Sequence, residues 1–212
     1  MSDRRQILTA IGSGLLLAGV TNAAGTQGAS VRAALATCGP TGRATAGPFY
    51  VSNAPVTTDI NLQNAAGTPL RVSALVLGGA DARTPLAGAT VELWHADSDG
   101  QYHPDDDGDI SRYRRNEINL RGQAICGPDG RTSFRSIVPA HYGNRRRHLH
   151  WRITAPGHPP LVTQTYWRDE KGTPYERSDP IDRDPEECRW VEFRDEDGIA
   201  VGDIVFVLAA AR

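Results

Sequence analysis

The hydrophobic positions of this chain occur in short runs separated by polar turns. Within 70–77, Leu70, Val72, Ala74 and Val76 alternate with other residues, so they point to one face of an extended strand. Similar runs, rich in β-branched or aromatic residues, follow at 89–95, 131–137, 148–154, 161–167 and 203–208. No long segment keeps a clean helical period. The pattern predicts an all-β domain.

Turn signals lie between these runs. The sequences DSDG, DDDGD, GPDG and APGHPP are of the kind that closes tight turns, and the chain contains 22 glycines and 14 prolines. No internal repeat or low-complexity linker divides the chain. We therefore expect one antiparallel β-sandwich with long loops that carry the active site. The charged, proline-rich stretch 174–187 is predicted to be a surface loop.

The N-terminus has the pattern of an export signal. Arg4 and Arg5 precede an apolar run at 7–20, which is too short to span a bilayer, and small residues around Ala23 and Ala24 suit a cleavage site. The arginine pair resembles a twin-arginine signal. We expect a signal peptide over 1–24, an irregular arm over 25–48 and the folded domain over 49–212. The mature protein would then be periplasmic or extracellular, without stable membrane insertion.

Charge and cysteine content narrow the class of protein. The formal net charge of −2, from 25 acidic and 23 basic residues, excludes a generic nucleic-acid binder, which usually carries a basic surplus. Three cysteines cannot form a fully paired scaffold. In an oxidising compartment Cys38 and Cys188 can pair, which would leave Cys126 as a free thiol.

The candidate chemistry lies in the run 148–154. His148 and His150 are two residues apart on a predicted strand, so their imidazoles lie side by side as half of a metal site. Two surface histidines would give the same pattern. A cupin site would need a glutamate shortly after the pair, and a 2-His-1-carboxylate site usually begins His-x-Asp/Glu, with an acid where this chain has His150; neither is present. The isolated cysteines also argue against zinc.

Two tyrosines could complete such a site. Tyr142 lies six residues before His148, and Tyr102 follows the turn after the strand that ends near His95. Phenolates are hard anionic donors, so two phenolates with two imidazoles would suit ferric iron.

Ordered blocks over 45–167 resemble the intradiol ring-cleavage dioxygenases, the family of protocatechuate 3,4-dioxygenase and catechol 1,2-dioxygenase. The blocks are Thr-Ala-Gly-Pro-Phe-Tyr at 45–50, the stretch 86–96 followed by Asp99-Gly100-Gln101-Tyr102, Arg121-Gly122 with 127–139, then Tyr142, Arg145, His148, His150 and Thr163-Gln164-Thr165-Tyr166. The chain departs from the family pattern at Ala46, where glutamate is usual, around Cys126, and at Arg146-Arg147. These departures remove no ligand and bear on substrate choice.

The resemblance implies a role for each matching residue. Tyr102, Tyr142, His148 and His150 would be the Fe(III) ligands, and Tyr142 would also leave the metal and take a substrate proton. Arg145 would stabilise charge on the ring, with Arg146 and Arg147 as alternatives. Gln164 would orient the ring, and the substrate pocket would include Gly47, Pro48 and Tyr50.

The activity implied is cleavage of a catechol between its two hydroxyls, with both atoms of dioxygen entering a muconate-type diacid. The partners would be a small catecholic substrate and dioxygen, and a homo-oligomer is compatible with the family. No long helical segment precedes the matching blocks, so we expect a stand-alone secreted member or one nearer the protocatechuate type. Two alternatives stay open: a metal-free binding module on the same scaffold, and a zinc or copper protein using His148 and His150.

Overall fold

The computed structural model describes residues 39–79 and 83–210. The predicted signal peptide, the first part of the predicted arm and Cys38 lie outside the described residues. Cys188 is disulfide-bonded and Cys126 is a buried free thiol. No helix among the described residues is long and apolar enough to cross a membrane.

Twelve strands and one short helix make up the regular structure of the described residues. The strands are β1 (Val51–Ser52), β2 (Pro69–Gly78), β3 (Thr84–Pro85), β4 (Thr90–Trp94), β5 (Gly108–Asp109), β6 (Arg121–Ile125), β7 (Arg131–Ile137), β8 (His148–Thr154), β9 (Leu161–Trp167), β10 (Trp190–Val191), β11 (Arg194–Glu196) and β12 (Ile199–Val207). Helix α1 spans Pro174–Ser178, and 3-10 turns occupy Ile110–Arg112, Arg115–Glu117, Arg168–Glu170 and Glu187–Arg189.

Two large sheets face each other across the core. The first has the strand order β10-β9-β8-β4-β6, and the second has the order β11-β12-β2-β3, with β7 also paired to β2. The alternating residues predicted to share one face of β2 are all buried, and they pack with Leu149 and Trp151 from the first sheet and Phe206 from the second. The predicted all-β sandwich is confirmed.

Strand directions are mixed rather than uniformly antiparallel. β4, β6, β8 and β9 pair antiparallel, whereas β12 runs parallel to β2 and β10 runs parallel to β9. Parallel neighbours need a long connection, and here β12 reaches β2 only after the chain has built the first sheet. β6 was not predicted, because its sequence Arg-Gly-Gln-Ala-Ile lacks apolar alternation; pairing with β4 makes it a strand.

The described end of the predicted arm runs along both sheets without forming a strand of its own. The Thr41 amide donates to the Val207 carbonyl (2.9 Å), and the Ala44 amide donates to the Val162 carbonyl (3.0 Å). These bonds bring residues 45–50 to the outer face of the first sheet, where the candidate site lies.

Candidate metal centre and substrate cavity

The two histidines of β8 lie on the outer face of the first sheet. Leu149 and Trp151, which alternate with them, enter the core, so His148 and His150 point the other way. β8 lies between β4 and β9, and this pairing sets Trp94 beside His150 on one edge and Gln164 beside it on the other. The imidazole pair is therefore held by strand pairing on both sides.

Tyr102 meets both histidines. Its hydroxyl oxygen lies 3.2 Å from Nε2 of His148 and 3.1 Å from Nε2 of His150, and all three side chains are buried. Three donor atoms predicted as metal ligands thus converge on one point. In the chain, His148 lies 46 positions after Tyr102, and His150 lies 48 positions after it.

The hydrogen bonding of His148 suits a metal ligand. Its Nδ1 lies 2.7 Å from the Arg146 carbonyl, which can only accept, so Nδ1 carries the proton and Nε2 presents its lone pair to the site. His150 is fixed by stacking on Trp94, with ring centroids 5.0 Å apart, and its second ring nitrogen, Nδ1, is buried.

Burial keeps both imidazoles neutral. It lowers the pKa of His148 to about 3, and the Arg145 charge adds to the effect. Burial and the neighbouring His148 lower the pKa of His150 well below its usual value. Neutral imidazole is the form that binds metal.

The phenol of Tyr102 behaves in the opposite way. Burial raises its pKa, and the charges of Arg145 and Arg121 offset only part of the increase. The phenol therefore keeps its proton unless a nearby cation displaces it. A metal at this point would convert it to a phenolate and release a proton.

Tyr142 lies beside the three converging donors. Its ring is edge-on to Tyr102 at 5.7 Å and to Phe49 at 5.3 Å, and 38% of the residue is exposed. Tyr142 is thus placed at the rim of the site, while Tyr102 lies at its base. The geometry suits one fixed phenol and one that can move.

The two tyrosine loops contact each other directly. The Asp97 carboxylate accepts bonds from the Asp99 and Gln101 amides (2.8 and 2.9 Å) and so shapes the turn before Tyr102. Gly100 in that turn has φ +81°, and a Cβ there would lie 2.4 Å from the His141 carbonyl oxygen, immediately before Tyr142. The turn therefore requires glycine both for its conformation and for its close approach.

The donor set fits ferric iron better than zinc. No group of three or more His, Cys, Asp or Glu side chains among residues 39–79 and 83–210 could hold a metal ion. A metal at β8 would therefore depend on phenolate oxygen as well as imidazole. Hard anionic oxygen beside two nitrogens suits a high-charge cation such as Fe(III).

A cavity of about 650 Å³ opens beside these donors. The described residues that line it are Thr45, Gly47, Pro48, Tyr142, Gly143, Asn144, Arg145, Pro180 and Ile181. Gly47 has φ +71°, and a Cβ there would lie 3.3 Å from Cε1 of His150, so the cavity wall touches the metal-site imidazole. Gly47 and Pro48 line this cavity, and their contact with substrate stays a prediction.

Tyr50 lies elsewhere. It is absent from the described residues that line the cavity, and its hydroxyl donates to the buried Glu92 carboxylate (3.0 Å). Its ring packs against Trp94 at 5.0 Å. Burial and the Glu92 charge raise the pKa of Tyr50 to about 12. In the structure Tyr50 thus packs against Trp94, and its contact with substrate stays a prediction.

The three consecutive arginines have different surroundings. Arg145 lines the cavity. Arg146 is fully buried, with its guanidinium 4.1 Å from the Tyr166 ring centroid and 5.0 Å from that of Trp190. Arg147 pairs with Glu170 and Asp169 and lines a separate groove. Arg145 is therefore the member of the triplet that faces the candidate site.

Gln164 is hydrogen-bonded to Arg145. Its Oε1 accepts bonds from Arg145 (2.7 Å) and from the Tyr166 hydroxyl (3.1 Å), while its Nε2 donates to the Thr45 carbonyl (2.8 Å). The side chain is fully buried. In this arrangement Gln164 orients the arginine and the 45–50 segment.

The segment 174–187, predicted to be a surface loop, also contributes residues to the candidate site. After helix α1, the buried Asp179 accepts a 2.7 Å bond from Nε of Arg145, and Pro180 and Ile181 line the cavity. Charge and proline content gave no signal for these contacts. A buried carboxylate within a charged stretch cannot be distinguished by sequence from its exposed neighbours.

A family model described as Dioxygenase matches residues 45–182. Catechol 1,2-dioxygenase of Candida albicans is 30% identical over 161 residues, covering 66% of this chain and 50% of that protein. 6-Chlorohydroxyquinol 1,2-dioxygenase of Cupriavidus pinatubonensis is 37% identical over 145 residues, covering 59% of this chain and 50% of that protein. The chain spans about half the length of these curated relatives.

Solved structures show the same similarity. The dioxygenase domain of a dioxygenase–carbohydrate-binding fusion from Streptomyces sp. SirexAA-E is 31% identical with a TM-score of 0.66, covering 82% of this chain and all of that one. Catechol 1,2-dioxygenase from Pseudomonas arvilla C-1 is 26% identical with a TM-score of 0.67, covering 88% of this chain and 68% of that one. With the matching site residues, these findings show that the chain belongs to the intradiol ring-cleavage dioxygenase family.

Proposed function

We propose that the protein is a non-haem ferric dioxygenase that cleaves a catecholic ring between its two hydroxyls and incorporates both atoms of dioxygen to give a muconate-type diacid. The observation that carries the proposal is the convergence of Tyr102, His148 and His150 beside a cavity lined by Tyr142 and Arg145. Relatives with matching sequence are named catechol, chlorocatechol and hydroxyquinol 1,2-dioxygenases, which supports a catecholic substrate.

The proposed iron ligands are Tyr102, Tyr142, His148 and His150. Bound there, ferric iron would supply Lewis acidity towards two adjacent ring hydroxyls. The protein's own groups define the rest of the chemistry. In the deprotonated form that a metal ligand would take, the partly exposed Tyr142 phenolate is placed to accept a proton from substrate in the cavity. The Arg145 guanidinium is placed to stabilise negative charge that develops on the ring.

Iron loading with a spectroscopic readout tests this proposal. Protein produced with ample iron is expected to be burgundy, because tyrosinate bound to ferric iron absorbs visible light. With catechol and isotopically labelled dioxygen, the product mass should show two labelled oxygens. A colourless protein without iron would favour the metal-free binding module, and a product with one labelled oxygen would contradict intradiol cleavage.

We also propose that the protein is exported. The paired Arg4 and Arg5 before an apolar run support this, and so does the disulfide at Cys188, since disulfides persist in oxidising compartments. Replacing both arginines by lysine should leave the full-length protein in the cytoplasm of a bacterial host, whereas the unchanged sequence should be recovered outside it. Equal recovery of both in the cytoplasm would contradict export.

A further inference from the structure

The cavity beside the donor set contains one charged lining residue among those described, Arg145. A single arginine facing a pocket would normally attract a substrate carboxylate, because its planar fork matches that group. Whether it does so here depends on whether its charge is already matched by the protein.

Asp179 supplies an opposite charge that pairs with Arg145. Its Oδ1 accepts a 2.7 Å bond from Nε of Arg145, and the Asp179 side chain is completely buried. A second nitrogen of the guanidinium is bound to Gln164 at 2.7 Å. Because Asp179 is shielded from water, its negative charge offsets that of Arg145 with little screening.

The neighbouring charges are matched as well. The other oxygen of Asp179 lies 3.2 Å from Nε of Arg146, and NH1 of Arg146 lies 4.0 Å from Glu176. Two arginines therefore face two carboxylates. Arg147 is paired with Glu170 on a different face. Behind Arg145 the protein presents no unmatched positive charge from this cluster.

The same segment adds an apolar wall. Pro180 and Ile181 follow Asp179 directly and line the cavity, and 37% of Ile181 is exposed there. A carboxylate against this wall would lose water without gaining a counter-ion, which is unfavourable. A methyl group or a hydrogen in the same place has no charge, so it would not lose favourable hydration.

We propose that Asp179 is a specificity-determining residue: by pairing with Arg145 it weakens the attraction that the cavity offers to a substrate carboxylate, so that the cavity selects uncharged catechols over carboxylated ones. This inference rests on the proposed dioxygenase function and deepens it. Asp179 acts through Arg145 and the chain around Ile181, so its effect should appear in the choice between substrates of equal shape and different charge.

The test compares kcat/KM for 4-methylcatechol and 3,4-dihydroxybenzoate, which carry a methyl group or a carboxylate at the same ring position. The iron-loaded wild-type protein should prefer 4-methylcatechol by at least about tenfold. Asp179→Asn should reduce that preference about tenfold. The matched control is Glu176→Gln, which removes one negative charge near Arg146 without touching Arg145, and it should leave the preference unchanged within about twofold.

A second variant keeps the test decisive if Asp179→Asn does not fold. Ile181→Lys places a new cation on the partly exposed wall and should also shift the preference towards the carboxylate. Wild-type preference for 3,4-dihydroxybenzoate, or an Asp179→Asn protein that is folded and unchanged in preference, would overturn the inference while leaving the dioxygenase function intact. If Asp179→Asn does not fold, an unshifted preference in Ile181→Lys overturns it. Failure of the iron-loaded protein to cleave either compound would overturn the proposed function itself.

Discussion

The histidine half and the tyrosine half of the proposed centre are built differently. His148 and His150 lie on a central strand whose neighbours, β4 and β9, fix its register on both edges. Tyr102 and Tyr142 lie on loops that are held by side-chain-to-backbone bonds and by the contact between Gly100 and His141. Strand pairing therefore fixes the two imidazoles and loop contacts hold the two phenols, of which only the partly exposed Tyr142 is proposed to take part in proton transfer.

Removing a ligand from the strand half should have the largest effect. His150→Ala deletes one of three converging donors while leaving the backbone pairing of β8 in place. We expect bound iron to fall below about one tenth of the wild-type level and activity to fall by at least about 100-fold. Metal analysis and visible absorption would measure this, with circular dichroism as the check on folding. A His150→Ala protein that keeps its iron and colour would contradict the ligand assignment.

Removing the partly exposed phenol of Tyr142 should separate iron binding from turnover. Tyr142→Phe leaves Tyr102, His148 and His150 in place, so iron should be retained while kcat falls about 100-fold, the usual scale for losing a proton acceptor. Tyr175→Phe is the matched control, because Tyr175 is also partly exposed and stacks on His141 without belonging to the donor set. Equal loss of iron in Tyr142→Phe and His150→Ala would remove the distinction between the two halves.

Disturbing the contact between the tyrosine loops should have an intermediate effect. Gly100→Ala combines a strained positive φ with a Cβ only 2.4 Å from the His141 carbonyl, so the Tyr142 backbone must shift. We expect kcat/KM to fall about tenfold and stability by roughly 1–3 kcal/mol. Gly157→Ala is the matched control, since Gly157 has φ +76° but no atom within 4 Å of its Cβ position. If both variants lose activity equally, loop contact is not what positions Tyr142.

The smallest effect that we expect is on the pH dependence of folding stability, and it comes from His95, which belongs to neither half of the proposed centre. His95 is fully buried between the Ala96 carbonyl (2.6 Å) and the Ser136 hydroxyl (2.7 Å), and burial lowers its pKa to about 4. The unfolded chain therefore binds a proton more readily than the folded one between pH 6.5 and 4. The protein should therefore lose up to about 1.4 kcal/mol of stability for each unit of acidification in that window.

Urea unfolding of the iron-free protein at pH 7, 6 and 5 would measure how the free energy of unfolding changes with pH. The slope of stability against pH should be smaller in His95→Gln than in wild type by that amount, although His95→Gln will be less stable overall. Identical slopes would show that His95 does not titrate in this range.

Sequence prediction succeeded where local pattern controls structure. The strands expected at 131–137, 148–154 and 161–167 have those bounds, because apolar alternation and turn residues define them. β12 begins at Ile199 rather than at 203, because its first residues gain strand structure by pairing with β11 and β2. Partner-dependent strands such as β6 leave little pattern of their own.

The site residues also divide into those that a local sequence pattern predicts and those whose position depends on long-range contacts. Strand alternation predicts that the imidazoles of His148 and His150 share one face, whereas only donor chemistry and the family resemblance link the two tyrosines to them. Asp179 was missed altogether, because its burial depends on how the 174–187 segment folds over Arg145. Long-range contacts made by loops leave no periodic signal along the chain.

The position of β12 has a consequence for biosynthesis. β12 is the last described strand in the chain, yet it lies between β11 and β2, pairs with β2 along residues 70–77 and receives the Thr41 amide at Val207. During translation one edge of β2 therefore stays unpaired until residues 199–207 have left the ribosome. Until then the nascent chain would expose an aggregation-prone strand edge, so a chaperone that shields the 70–77 region should raise the yield of folded protein.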